Sequence, residues 1–379
     1  MAPSLPTARP AERPYDPPDG PAELREQRPL SRLSYPDGHE GWLATGHALV
    51  RAVLADPRFS VRPELQHLPV PGAPGSDRPA PPGLFSGMGA PEHTRYRRLL
   101  TGQFTVRRMR RLTEEIEGIT ADHLDAMEKH GGPVDLVAAL AQPIPAQVFC
   151  ELLGVPHADR ARLQRAVLGL FRPASPEEQG AAYAVVHEFI RELVAAKRTE
   201  PTDDLLSGLT VSDLTDEELV HIGFVLLGAF ALLSHPRRLA ALRADPGIAG
   251  HAIEELLRYL SIIPFTVRTA LEDVELHGER IAAGETVSVS VPAANRDPAQ
   301  FADPDTLDLL RPAGGHVAFG HGIHQCLGRQ LARVELTVVL PALVTRFPGL
   351  RLAVPAEDIP MRTDMLIYGV HELPVTWEA

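Results

Sequence analysis

Lysine is almost missing from this 379-residue chain: of 37 basic residues only Lys129 and Lys197 are lysine, and the rest are arginine. Together with abundant alanine and 37 prolines, that skew reads as the codon bias of a GC-rich bacterial genome rather than as chemistry. Cysteine is equally scarce. Cys150 and Cys326 are too few for a disulfide framework. No apolar run is long: the longest, Ile222–Leu233, has twelve residues, against the roughly 20 that span a bilayer. The N-terminus has no basic region followed by an apolar stretch, so no secretory signal is read there, and a cytoplasmic protein is expected. Positive charge is also in deficit. With 49 acidic residues the net charge is −12, which disfavours nucleic acid and anionic membrane surfaces as partners. What remains is 44 % hydrophobic and 23 % charged, the balance of a globular protein.

Residues 1–20 are Pro-rich and predict a mobile, partly extended lead-in. No repeat or long linker divides the rest, so 21–379 is expected to be one domain. Leu33–Tyr35 and Trp42–Thr45 flank the turn signal Pro36-Asp37-Gly38 and predict a hairpin, followed by a helix over Ala48–Ala55. Residues 61–91 form a long Pro/Gly-rich connection of the kind that lines or covers ligands. From Glu92 to about Arg258 the spacing is helical, with a Thr215/Glu218 capping box ahead of the apolar run. Strand character follows at Val274–Leu276 and Thr286–Val291, then a helix from about Leu327, then an extended segment over 362–377. The fold class is mainly α with small β-sheets.

The segment that carries chemistry is Phe319-Gly320-His321-Gly322-Ile323-His324-Gln325-Cys326-Leu327-Gly328. A cysteine at the mouth of a helix has its thiolate favoured by the helix end and by free backbone N–H groups. The flanking glycines let the backbone pass close to something flat, and such a thiolate suits an axial haem ligand. A zinc site from His321, His324 and Cys326 fits the spacing poorly and lacks a fourth ligand. Gly320-x-Gly322 lacks the third glycine of a dinucleotide loop. Cys150, inside the apolar stretch Val148–Leu153, reads as a small hydrophobe.

This decapeptide resembles the haem-binding loop of the cytochrome P450 family, in its soluble bacterial branch, and other family markers stand in the matching order. Glu255-Leu256-Leu257-Arg258 is similar to the family's E-x-x-R, and Arg311 to the arginine that completes it. His93 and Arg97, four apart on a helix face, resemble a propionate-binding pair, with Arg268 and His324 as two further partners. Phe319 matches the aromatic residue beside the thiolate, and Gly328 the glycine that closes the loop. The resemblance implies haem b with Cys326 as its iron ligand, lying between the central helix and the helix that follows the thiolate loop. It implies a monomeric monooxygenase that draws electrons from a separate ferredoxin and ferredoxin reductase.

One departure stands out. The family's central helix usually carries an acid and a threonine that relay protons, whereas 222–233 contains no acid, hydroxyl or amide. Thr215 to His235 spans only about 30 Å as a helix, so a block is missing near Leu227-Gly228. No distal catalytic residue is therefore assigned. A lipophilic substrate is expected from the apolar segments that hold Leu84, Phe85, Met88, Phe171, Ile263, Phe265, Val267, Leu366 and Ile367. Arg107-Arg108-Met109-Arg110-Arg111, with Arg329 and Arg333, reads either as a ferredoxin-docking patch or as a solvated helix face. The main expectation is oxygen insertion into a lipophilic metabolite of bacterial secondary metabolism. Two alternatives stand beside it: a peroxide-dependent haem enzyme, and a non-catalytic protein of the same fold that activates a partner enzyme.

Overall fold

The computed structural model describes residues 4–6, 9–10, 13, 16–71, 75–170, 176–222, 248–362 and 367–377. Helices within them are α1 (Pro21–Gln27), α2 (His47–Ala55), α3 (Glu92–Thr101), α4 (Val106–His130), α5 (Pro143–Leu153), α6 (His157–Leu170), α7 (Pro176–Thr199) and α8 (Leu205–Thr210). After α9 (216–222) come α10 (Ala249–Leu260), α11 (Val291–Asn295) and α12 (Arg329–Arg346). Strands β1 (Leu30–Ser34), β2 (Glu40–Ala44), β3 (Phe59–Ser60), β5 (Phe265–Ala270) and β8 (Thr286–Ser290) form one sheet in the order β1-β2-β8-β5-β3. Strands β6 (Val274–Leu276) and β7 (Glu279–Ile281) make a hairpin, and β4 (Val134–Asp135), β10 (Pro374–Thr376) and β9 (Arg351–Leu352) a small third sheet.

Local chemistry explains most of these elements. The Pro36-Asp37-Gly38 turn closes the β1–β2 hairpin, with Leu33 opposite Gly41, and Gly38 takes a positive φ of 87°. In α4 the buried residues Leu112, Ile116, Thr120, Leu124 and Met127 recur every three or four positions, so one face enters the core and packs on α12. The Thr215/Glu218 box forms as the spacing predicts: Thr215 N–H donates to Glu218 Oε2 at 2.7 Å and Glu218 N–H to Thr215 Oγ1 at 3.2 Å.

That N-terminus also anchors the long connection. Gly83 lies so close to Glu218 that a Cβ would stand 2.3 Å from its carbonyl oxygen, and His221 contacts the Pro82 carbonyl at 2.7 Å. Arg95 and Tyr96 converge on the Glu218 carboxylate at 2.8 and 2.6 Å. The segment 61–91 is thus pinned to the start of α9.

Where the lead-in is described it touches the domain: Leu5 is buried with Leu33, Tyr35 and Leu43, and Arg9 donates to the Leu260 carbonyl at 2.6 Å. The segment 262–267, read as pocket lining, divides: Ile262, Ile263 and Thr266 line the cavity, while from Phe265 onward backbone pairing of β5 with β8 and β3 decides which side chains face it. The apparent gap in the central helix near 227–228 lies outside the described residues.

Candidate functional site

The loop before α12 folds back on itself. Cys326 N–H donates to the Phe319 carbonyl at 2.9 Å, and Gly320 and Gly322 take φ of 70° and 74°. At Gly322 a Cβ would stand 2.5 Å from the Leu54 carbonyl oxygen, so only glycine lets the loop lie against α2. Gly328 lines the same cavity as Cys326, and a Cβ there would meet nothing within 4 Å. Open space over bare backbone is what a flat group resting on this loop requires. Burial pushes the Cys326 thiol up, while the Gly328 amide, Arg97 and Arg329 pull it down. A bound cation would reverse that balance, because a coordinating thiol loses its proton.

Beside the thiol four basic side chains converge from three elements. His93 and Arg97 come from α3, Arg268 from β5 and His324 from the loop; the rings of His93 and His324 lie 4.2 Å apart. His93 is only 2 % exposed, and its Nδ1 is buried with no hydrogen-bond partner. Arg268, 6 % exposed, donates to the Val267 carbonyl at 2.8 Å and to Thr266 Oγ1 at 3.2 Å. Among the described residues none of the four has a carboxylate partner. The electrostatics carry that mark. Burial, then His93, Arg268 and Arg97, push His324 down to about 3, and burial alone pushes Arg268 down to about 10. Cations buried together without an anion are costly unless an anionic group binds among them.

The cavity that Arg268 and His324 share with Cys326 is otherwise apolar, lined by Leu256, Leu260, Ile262, Ile263 and Leu340 among others. A ligand fitting the whole site is flat and apolar in its body, carries carboxylates at one edge and offers a soft metal to Cys326. Haem meets all three conditions. No group of three His, Cys, Asp or Glu side chains among the described residues is arranged to hold a metal ion by itself.

Behind this site lies a second charged cluster. Arg258 Nε and Nη2 donate to both Glu255 oxygens at 2.7 and 2.8 Å, with both side chains fully buried. Arg311 adds a contact to Glu255 at 3.2 Å, and Arg258 donates onward to the carbonyls of Asn295 and Pro304. Asn295 continues the chain to Val317 N–H at 2.8 Å, immediately before the thiolate loop. The cluster braces the floor on which that loop sits.

The substrate-side expectations divide. Ile263 lines the cavity. Phe265 and Val267 do not, because residues two apart on β5 share a face and the cavity face belongs to Thr266 and Arg268. Phe265 packs instead against Leu33, Tyr35 and Leu43. Phe85 and Met88 join the main helical core, with Phe85 6.2 Å from the His93 ring, and Leu84 and Ile367 are half-buried away from the cavity lining. Phe171 and Leu366 lie outside the described residues. Thr266, missed in the sequence, was recoverable from the period-two pattern around Arg268.

The arginine-rich start of α4 is partly committed. Arg108 donates to Gln103 and to the Asp204 carbonyl, and Arg111 pairs with Asp203 at 2.5 Å; Arg107 and Arg110 remain exposed at 93 % and 82 %. Arg333 is occupied by Glu254 and Phe319. Cys150 is fully buried, and burial pushes it up to about 12, as befits a packed thiol.

A family model described as Cytochrome P450 matches residues 249–377. The chain is 49 % identical to Cytochrome P450 105C1 of Streptomyces sp, with 96 % of each chain covered. It is 43 % identical to pentalenic acid synthase of Streptomyces avermitilis, covering 99 % of this chain and 98 % of that one. Nocardicin C N-oxygenase of Nocardia uniformis is 42 % identical over 94 % of this chain and 95 % of its own. Among solved structures, CYP105P1 in complex with filipin I superposes with a TM-score of 0.92 at 42 % identity, covering 100 % of this chain and 99 % of that one. No helix among the described residues is long and apolar enough to cross a membrane.

Proposed function

The chain belongs to the cytochrome P450 family and is a haem-dependent oxidoreductase; from that premise we propose that it inserts one oxygen atom into a lipophilic small molecule of bacterial secondary metabolism. The observation that carries this reading is the set of four basic side chains with no carboxylate partner among the described residues, of which Arg268 and His324 line the same apolar cavity as Cys326. His93, Arg97, Arg268 and His324 would hold the two propionates and Cys326 the iron, with Gly328 and Phe319 beside them on the loop. When bound through a thiolate, haem supplies dioxygen binding and O–O cleavage.

Leu260, Ile262 and Ile263 exclude water on the substrate side and orient an apolar body, while Thr266 offers the one hydroxyl on that wall. Electrons come from a separate ferredoxin and its reductase, met by Arg107 and Arg110 on the exposed end of α4. One observation favours a second reading. Residues 222–233 hold no proton-carrying side chain, and the alignments with Cytochrome P450 105C1 and pentalenic acid synthase run over 382 and 394 positions, more than the 379 of this chain, while leaving part of it unmatched. The relatives thus carry residues that this chain lacks, and peroxide, which brings its own protons, would serve such a site better than dioxygen.

The test is the absorption spectrum of the dithionite-reduced protein under carbon monoxide, followed by turnover with peroxide against ferredoxin and dioxygen. A Soret band at the thiolate position supports the haem assignment, and a histidine-type band overturns it. Product formed with peroxide alone favours the second reading.

A further inference from the structure

From the sequence Arg333 reads either as a cation of a redox-docking patch or as part of a solvated helix face. Its geometry is that of a half-buried clamp. From the second turn of α12 its Nε donates to Glu254 Oε1 at 2.5 Å and its Nη2 to Oε2 at 2.9 Å, a bidentate pair with α10. Its Nη1 reaches the Arg329 carbonyl at 3.2 Å, and its guanidinium lies over the Phe319 ring, 4.9 Å from the centroid. His316 closes the group from the preceding loop: its Nε2 stands 3.2 Å from Glu254 Oε2, too poorly aligned for a hydrogen bond, and its ring lies 6.1 Å from Phe319. His316 Nδ1 accepts from Ala318 N–H at 3.1 Å, which places the ring proton on Nε2, toward the carboxylate. Phe319 is in turn tied to Cys326 through the backbone bond already described.

Resting on the assignment of Cys326 as the iron ligand, we infer that Glu254, His316 and Arg333 are positioning residues that hold Phe319 against the thiolate and so set the ligand's environment. Two elements meet at the aromatic ring, the loop through His316 and α12 through Arg333, and Glu254 of α10 lies against both of them. The carboxylate fixes the guanidinium plane, the guanidinium fixes the ring, and the ring limits water at the sulfur. A cation spent in this way is not free to recruit a partner, which leaves that task to the exposed Arg107 and Arg110. Removing residues that orient a metal ligand typically costs about ten- to a hundredfold in metal affinity or activity.

The experiment uses the haem-loaded protein and reads two properties other than turnover: the reduction potential, and the rate at which the reduced carbon monoxide complex converts from the thiolate-type to the inactive band. Arg333→Ala is expected to speed that conversion about tenfold and to shift the potential, with Glu254→Gln moving both in the same direction by less. Arg333→Lys keeps the charge but not the planar fork, and restores neither property fully. Arg107→Ala with Arg110→Ala leaves both unchanged. Arg333→Ala with a wild-type potential and conversion rate overturns the inference. So does a lowered thermal midpoint with an unchanged spectrum and potential, since that is a purely structural role. A wild-type protein without the thiolate-type band overturns instead the ligand assignment beneath it.

Discussion

Two buried charge clusters sit within this protein, and they differ in one respect. Glu255, Arg258 and Arg311 form a set in which the carboxylate is met by both guanidinium groups and the surplus N–H groups end on backbone carbonyls. His93, Arg97, Arg268 and His324 form a set of one sign, with a buried nitrogen left unpartnered. The first is complete without a ligand. The second is complete only with a dianion. A cluster closed on itself braces the fold, whereas one left open in charge marks a binding site, and this rule needs no motif. Glu335 is the third case. It is buried in α12 with no partner among the described residues, and burial pushes it up to about 8, so it escapes its charge by keeping its proton.

The strongest way to break the comparison is to open the closed cluster. Arg258→Ala removes the bidentate partner of a fully buried carboxylate and is expected to cost about 3–5 kcal/mol, read from urea unfolding of both the haem-free and haem-loaded protein. Equal stability of the variant would mean that Arg311 alone satisfies Glu255. The open cluster predicts opposite signs in the two forms. Arg268→Met removes a cation that burial already disfavours, so the haem-free protein should be as stable as wild type or more so. Haem loss to excess apomyoglobin should nevertheless be about tenfold faster, since a charge-assisted hydrogen bond to a propionate is gone. If both forms weaken together, Arg268 belongs to the structural class.

Glu335 supplies the clearest pH signature. Its folded value lies above the ordinary carboxyl range, so between about pH 4.5 and 8 the unfolded chain has released this proton while the native chain retains it. Its contribution to stability is thus fully present below the unfolded value and falls as pH rises, by at most about 1.4 kcal/mol per unit. Glu335→Gln should remove that slope. Thermal midpoints of the two proteins at pH 5 and pH 8 settle it: parallel lines would mean that the carboxyl is ionised in the fold.

Much of this was legible in the residues alone because the determinants are local. The hairpin follows from Pro36-Asp37-Gly38, the start of α9 from Thr215 and Glu218, and the thiolate loop from glycines whose positive φ no other residue tolerates easily. Where side-chain direction depended on strand pairing, local pattern was not enough. Phe265 and Val267 have the apolar character of a pocket wall, yet β5 turns them away and presents Thr266 and Arg268. Arg333 looks like any helix arginine until α10 brings Glu254 beneath it.

The sequence by itself therefore determined the helical class, the turns, the capping and the identity of the thiol, because each depends on neighbours within a few positions. Only the tertiary structure decided which charges are closed and which are open, since charge balance in a buried site is summed over elements far apart in the chain. Arg258 and Arg268 are ten residues apart, and both are buried arginines. What separates a brace from a binding group is the carboxylate that the fold brings to one of them and withholds from the other.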